Sequence, residues 1–572
     1  MRLGLSRSKS AVSLYVIKST YINKKHSTKI VEKLGTYNDL KLKLNGQDPI
    51  EWAKEYIEEL NRKEAEGQEP VVIAQYSPAR RIEQGKSRLY NGGYLFLESL
   101  YHELGLHKIC SAIQKRNKTE YDLNDILSRL LYTRVLYPGS KRSSCELAKR
   151  FIAQPKFELH QVYRALDVLG EESDFIQSEL YRNSAKQSKR NTSVLYYDCT
   201  NFFFEIEQES GLKQYGVSKE HRPNPIVQMG LFMDGDGVPL AFSIQAGNTN
   251  EQQTLKPLEK KILSDFSLSK FVVCTDAGLA SHANRAYNTQ GERAFVVTQS
   301  LKTLPRPVQE WALEPMGWRA RNDASVYDLS ELPEDARGDR LLYKEQQITL
   351  GGLTQRMVVT YSAKYRDYQR ALREKQIARA LQTIEHNPGK LSKAKSTDYK
   401  RLIVQTHSTQ DGEIAQQTTC ALNRAVIDEE ARFDGFYAVC TNLTDAAEEV
   451  IGVNQRRWEI EECFRIMKHE FRARPVYLQL DQRIKAHFLT CFLALALYRM
   501  LEKKLGSSYT CEDTISSLRD MMFSEIDGMG YAPVYARNDF TDALHEAFGF
   551  HTDYEIVTLK MFKNIQKMTM RK

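Results

Sequence analysis

After Asn191 the hydrophobic pattern switches from helical spacing to short apolar strands, and their order limits the folds open to the chain. Val194–Tyr197 reads as a strand running into Asp198. Ile226–Phe232 and Val238–Ile244 follow, joined by Asp234-Gly235-Asp236-Gly237, a hairpin signal. Asn250 then caps a helix that extends to about Leu263. Lys270–Thr275 predicts a buried strand ending at Asp276-Ala277-Gly278, and Arg293–Thr298 another, after a helix over 281–289.

Three strands, a helix, a strand, a helix and a strand is the order of a ribonuclease-H-like core, though other α/β domains share parts of it. The flanking sequence reads differently. Residues 11–35 alternate as a β-hairpin, and 50–69 have helical spacing around Trp52, Tyr56 and Leu60. Residues 94–190 read as helical throughout. Within them, Ser143–Phe151 and Leu159–Leu169 have helix-turn-helix proportions. They suit either plain bundle packing or a DNA face carrying Arg142, Lys149, His160 and Arg164. Phe436–Thr441 predicts a strand, and about 446–471 a single long helix.

Composition closes several alternatives. With 41% hydrophobic and 27% charged residues over 572 positions, the chain is neither disordered nor fibrous. Nine cysteines without a C-x-x-C pair predict reduced thiols rather than a disulfide framework or a zinc site. The longest apolar run, Phe488–Tyr498, falls short of the ~20 residues of a membrane span and reads as a core helix, so no membrane partner is expected. Ala11–Ile17 reads as a strand rather than a signal peptide, giving a cytoplasmic expectation. Net charge is +8, and Lys364–Arg401 alone holds eleven basic residues against four acids. That run is either a solvated face or a surface for a polyanion.

The carboxylates carry the chemistry. Two-metal phosphoryl transfer needs acids converging from different elements. Asp198 and Asp276 follow strands of one presumed sheet, where isolated aspartates would otherwise simply begin turns. On a helix at about 100° per residue, Arg457, Glu461 and Lys468 fall on one narrow stripe beside the apolar stripe of Ile460, Phe464, Met467 and Phe471. A row of solvated ion pairs has the same spacing. Glu462 lies about 100° away, so Glu461 is the candidate ligand.

Asn454-x-x-Arg457-x-x-x-Glu461-x-x-x-x-x-x-Lys468 resembles the Y-R-E-K signature of bacterial insertion-sequence transposases of the DDE type. Arg457-Trp458-Glu459-Ile460-Glu461, Tyr197-Asp198-Cys199-Thr200 and Thr275-Asp276-Ala277-Gly278 are similar to that family's motifs, as are Arg474-Pro475-Val476-Tyr477 and Ile484-Lys485-Ala486-His487. The signature tyrosine is Asn454 here.

The resemblance implies an α/β multidomain protein whose ribonuclease-H-like core is interrupted by an inserted domain, with a mostly helical N-terminal region. The 185 residues from Asp276 to Glu461, against 78 from Asp198 to Asp276, also require an insertion. The expected divisions are 1–50 (hairpin), 51–190 (helical, binding DNA ends), 191–300 and 436–505 (core), 301–435 (insertion with the basic run) and 506–572 (C-terminal region).

The resemblance further implies that Asp198, Asp276 and Glu461 hold two Mg²⁺ ions, with Mn²⁺ able to substitute. Arg457, Lys468, Asn454, Arg366, Arg370 and Arg373 are expected to contact DNA. The partners implied are double-stranded DNA, as terminal inverted repeats and as target, and a second copy when two ends are paired, in the bacterial nucleoid. An endonuclease of the same fold without strand transfer and a DNA-binding protein that has lost catalysis are the alternatives. Glycoside hydrolysis gives no reason for Arg457 and Lys468 on the stripe of Glu461.

Overall fold

The computed structural model describes residues 1–7, 11–22, 25–44, 47–67, 72, 74, 76–79, 81–187, 189–321, 323–332, 340–386, 398–408, 417–506 and 508–571. They form two compact units, Met1–Gln84 and Gly85–Lys572.

In the first unit, Arg2–Arg7, Val12–Ile22 and Lys25–Thr36 make an antiparallel three-stranded sheet, one strand more than the expected hairpin. Leu14 and Val16 are fully buried on one face, and Leu14 packs with Leu40 and Ala53 from helices Tyr37–Lys43 and Pro49–Gly67. Thr36 caps the first of these helices by accepting from the Asp39 amide. The unit ends past the division expected at 50.

The second unit is built on a ten-stranded mixed sheet. Its strands are β1 (Val194–Phe203), β2 (Ile226–Asp234), β3 (Pro239–Ala246), β4 (Val272–Thr275) and β5 (Ala294–Gln299). Then come β6 (Trp318–Ala320), β7 (Val326–Tyr327), β8 (Leu342–Leu350), β9 (Leu353–Tyr361) and β10 (Phe436–Thr441). Their spatial order is β7-β6-β8-β9-β10-β5-β4-β1-β2-β3. β1, β4 and β5 are parallel, whereas β2 and β3 pair antiparallel beyond β1. Residues 301–435 thus supply four strands that prolong the sheet through β10, which pairs antiparallel with β5.

Helices cover both faces. Leu255–Asp265 (α1) lies over Leu195, Tyr197, Cys199 and Phe232. The opposite face meets α2 (Ala447–Gln455), α3 (Trp458–Arg465) and α4 (Asp481–Lys504). By length and composition α4 could cross a membrane, but 94% of its apolar window is buried inside the protein. Phe488 and Phe492 pack their rings, tilted, against Phe202 and Phe242 of the sheet, and α4 also packs on helices Tyr94–Glu103, Leu123–Leu136 and Leu159–Glu171. A four-stranded sheet joins Leu89–Asn91 to strands near 522–558, tying the C-terminal segment to the start of the helical region. All nine cysteines are free thiols.

Candidate functional site

Alternate residues of β1 face opposite layers of the fold. Leu195, Tyr197 and Cys199 enter the core beneath α1. Tyr196, Asp198, Thr200 and Phe202 therefore face the α2–α3 side. There the Tyr196 hydroxyl donates to the Val453 carbonyl at 3.0 Å, and Phe202 joins the core around α3 and α4. The sequence predicts that β1 stops before Asp198. Antiparallel pairing with β2 from Leu195 to Phe203 instead carries the strand past it, and Asp198 stands opposite Leu231.

The parallel register sets the second acid. Tyr196 is level with Cys274 on β4, so Asp198 and Asp276, each two residues on, reach the same level on the same face. Asp276 opens a short turn by accepting from the Leu279 amide at 3.0 Å. Burial, opposed by Lys219 and reinforced by the Asp276 carboxylate, pushes the Asp198 carboxyl up to about 6; the Cys199 amide and Arg457 pull it down. Lys219, on the β1–β2 connection, donates to the Cys199 carbonyl at 2.6 Å and pairs with Glu251 at 3.1 Å. Burial alone would lower its pKa, but Cys199, Asp198 and Glu251 outweigh it and raise it. Nothing in the sequence marked Lys219 or Glu251, because their chemistry comes from loop placement and not from a motif.

The expected long helix is interrupted twice. α2 ends at Gln455, and a tight turn follows in which the Arg457 and Ile460 amides donate three residues back, to Asn454 and Arg457. Past α3 comes a π-helical turn, Ile466–Glu470. Tight and wide turns rotate side chains in opposite senses relative to a regular helix, so a uniform stripe does not describe the segment. Arg457 bonds Glu461 at 2.7 Å, and that carboxylate is 54% exposed. The Arg457 pKa is raised: burial opposes, while Glu461, Tyr437 and Asp276 favour the cation. Lys468, carried by the π turn, donates to the Thr200 hydroxyl at 2.5 Å and lies over the Phe202 ring. Burial and Lys219 lower its pKa, opposed by Asp198. Glu462 instead forks with Arg465.

Arg457 thus bonds Glu461 while its charge acts on both aspartates, and Lys468, held by Thr200, adds a second cation whose charge couples to Asp198. Two carboxylates at one level, one of them reluctant to ionise through burial, are a donor set suited to a hard divalent cation.

Asn454 does not point an idle amide outward. The distances allow a closed ring: Tyr437 O–H to Thr298 at 2.6 Å, Thr298 O–H to the Asn454 oxygen at 3.4 Å, and Asn454 N–H to the Tyr437 oxygen at 3.3 Å. Tyr437 comes from β10, so no spacing within the α2–α3 segment could have found it. Asn454 and Tyr437 also line a cavity of about 300 Å³ with Tyr365, Thr360 and Ile451. Trp458, an aromatic neighbour of Arg457, is 61% exposed.

The first part of the basic run forms a helix, α5 (Ala363–His386), and residues 387–397 lie outside the described residues. Its three expected DNA contacts separate. Arg373 forks onto both oxygens of Asp434, a residue only 4% exposed in its side chain, with one bond at 2.7 Å. Arg366 is buried and pairs with Asp367 at 2.8 Å. Arg370 is exposed but reaches Asp434 at 4.0 Å, and Lys364, Lys375 and Arg379 of the same run are exposed as well.

No curated protein matches the chain. A solved piggyBac transposase synaptic complex with hairpin DNA aligns over 83% of this chain and 85% of its own, at 10% identity and a TM-score of 0.35, too loose an overlap to carry an argument. The model of the transposase DDE domain matches residues 202–497, slightly more than half of the 572, taking in Asp276 and Glu461 and beginning four residues after Asp198. With this match, the chain belongs to the DDE-domain transposase family.

Proposed function

We propose that this protein is a DNA transposase that cuts at the ends of a mobile element and joins them to target DNA. The observation that carries the reading is the level placement of Asp198 on β1 and Asp276 just past the end of β4, with the charge of Arg457, the partner of Glu461, acting on both. The strand order β3-β2-β1-β4-β5, with only β2 antiparallel to its neighbours β1 and β3, supports a ribonuclease-H-like core. The Arg457, Glu461 and Lys468 spacing supports the Y-R-E-K branch of bacterial insertion sequences, acting on DNA in the cytoplasm.

Asp198, Asp276 and Glu461 would hold two Mg²⁺ or Mn²⁺ ions, which when bound activate the attacking oxygen and stabilise the leaving one. The chain's own groups do the rest. Glu461 must leave Arg457 to complete the acid set, and its exposure leaves it room to turn. Arg457, released, is then placed to take a phosphate oxygen beside the scissile bond. Lys468, fixed by Thr200, holds a second positive charge coupled to Asp198. Two copies pairing two ends of duplex DNA is the assembly we infer.

A supercoiled plasmid carrying the DNA that flanks the gene tests the reading. Metal-dependent integration products are expected. Cleavage without joining would make the protein an endonuclease, and binding without cleavage an inactive relative.

A further inference from the structure

We propose that His545, His551 and Asp553 form a binding site for a transition-metal cation of the zinc class, which clasps the C-terminal segment and uses none of the acids Asp198, Asp276 and Glu461. One ring nitrogen of each histidine and a carboxylate oxygen of Asp553 lie within 4.8 Å of one another. The set contains no cysteine, so the absence of a C-x-x-C pair does not bear on it.

Local folding brings the three together. His545 sits in the last turn of the helix Asp539–Phe548, which Asn538 caps by accepting from the Thr541 amide. Gly549 ends that helix with φ of 71°, a left-handed turn suited to glycine, and its amide donates to the His545 carbonyl at 2.9 Å. The chain doubles back there, and the His545 and His551 rings come to lie 5.2 Å apart and 29° from parallel.

The His545 side chain is fully buried, its ring 5.6 Å from that of Phe96, and its Nδ1 has no hydrogen-bond partner among the described residues. An ion is one group that satisfies such an orphaned atom. Nδ1 stands 3.7 Å from Asp553 Oδ2, and Nδ1 of His551 stands 3.1 Å from Asp553 Oδ1. Two ligands of a tetrahedral zinc are ~3.3 Å apart, so one pair has that span and the other is slightly wider. The His551 side chain, 54% exposed, has room to turn and close the set. Arg537 reaches Asp553 Oδ2 at 3.6 Å, but it forks on Asp542 at 2.6 and 3.2 Å.

The far side of the buried ring suits a metal ligand too. Thr552 meets Nε2 of His545 with its hydroxyl at 3.0 Å and its amide at 3.2 Å. The amide donates to Nε2 while the ring proton is on Nδ1. A metal on Nδ1 sends that proton to Nε2, where the Thr552 hydroxyl accepts it in place of the amide bond and turns its own proton to the Tyr535 oxygen, 3.0 Å away. Burial lowers the His545 pKa against the pull of Asp553, which keeps the ring neutral, as a ligand must be. Two imidazoles and one carboxylate select a borderline-soft ion over Mg²⁺, and three protein ligands leave a fourth position to water.

The test uses the full-length Asp198→Asn/Asp276→Asn variant, so that metal at those acids is not counted, titrated with Zn²⁺ by calorimetry. One ion should bind, and excess Mg²⁺ should not displace it. His551→Ala in that background should bind roughly a hundredfold more weakly, yet melt like its parent in EDTA because the ring is exposed. Zn²⁺ should raise the melting temperature of the parent and leave that of His551→Ala unchanged. Co²⁺ in place of Zn²⁺ should give the visible absorption of a four-coordinate ion without a thiolate charge-transfer band. No binding by the parent, unchanged affinity in His551→Ala, or a thiolate band would overturn the assignment. None of these readouts involves cleavage, so the site and the transposase reading fail separately.

Discussion

Tyr437 accepts a hydrogen bond from Asn454 across the gap between β10 and α2, so a strand supplies a phenol beside the helical amide. Both residues adjoin Arg457. Removing the Tyr437 hydroxyl opens the ring with Thr298 and frees the Arg457 turn.

The expected result for Tyr437→Phe is a cleavage rate lower by about tenfold, the worth of one or two such bonds. Asn454→Ala should cost a similar factor, and the double variant little more, because the ring breaks only once. Single-turnover cleavage of pre-nicked ends measures this. Fully additive losses would show that the two side chains act separately.

Asp198→Asn, Asp276→Asn and Glu461→Gln should each abolish Mg²⁺-dependent cleavage while leaving duplex binding intact. Glu462→Gln should cleave within a few-fold of wild type, since Glu462 is engaged by Arg465 rather than by Arg457. Wild-type cleavage by any of the first three variants would remove that residue from the site.

The carboxyl of Asp198 has a sign that acid denaturation exposes. Its folded pKa, about 6, lies above the ordinary aspartate value of 3.8, so protonation favours the folded state. Without metal, stability is greatest below about pH 4 for this group and is lost as pH rises through 6, by at most about 3 kcal/mol. Asp198→Asn should therefore raise the melting temperature in EDTA at pH 7 and remove that part of the pH dependence. Calorimetry at pH 4, 6 and 7 decides it; a lower melting temperature for the variant at pH 7 contradicts the assignment.

The arginines of α5 should divide by job. Arg373→Ala takes the forked partner from the buried Asp434, leaving it only the longer contact from Arg370 at 4.0 Å, and should cost about 2 kcal/mol of stability. Lys364→Glu/Lys375→Glu/Arg379→Glu should leave the melting temperature unchanged, weaken duplex binding and flatten its salt slope. A stability loss in the triple variant equal to that in Arg373→Ala would mean that the exposed cations are structural too.

What the sequence revealed was whatever local pattern controls. Five strands, the hairpin Gly237 turn and the acids at 198 and 276 follow from alternation and turn residues, because neighbouring strands pair in order. The segment around Glu461 was legible as helix but not as a broken one. The interruptions at Arg456–Arg457 and Ile466–Glu470 contain neither Pro nor Gly, and a uniform wheel hides them. Arg366 and Arg373 looked like their exposed neighbours, since Asp434 lies 61 residues from Arg373 and no spacing links them. Tyr437 and Lys219 were hidden for the same reason: strand register and loop closure bring them in from far away in the chain.

The alternation of β1 makes the strand a reading frame in its own right. Its odd positions build the hydrophobic layer under α1, and its even positions present the chemistry. Deleting one residue between Val194 and Asp198 would turn Tyr196 into the layer that holds Leu195 and send the carboxylate into oil. Folding and cleavage would then fail together, whereas length changes in the 204–225 connection leave the frame untouched. Lineages of this protein should hold β1 to a fixed count.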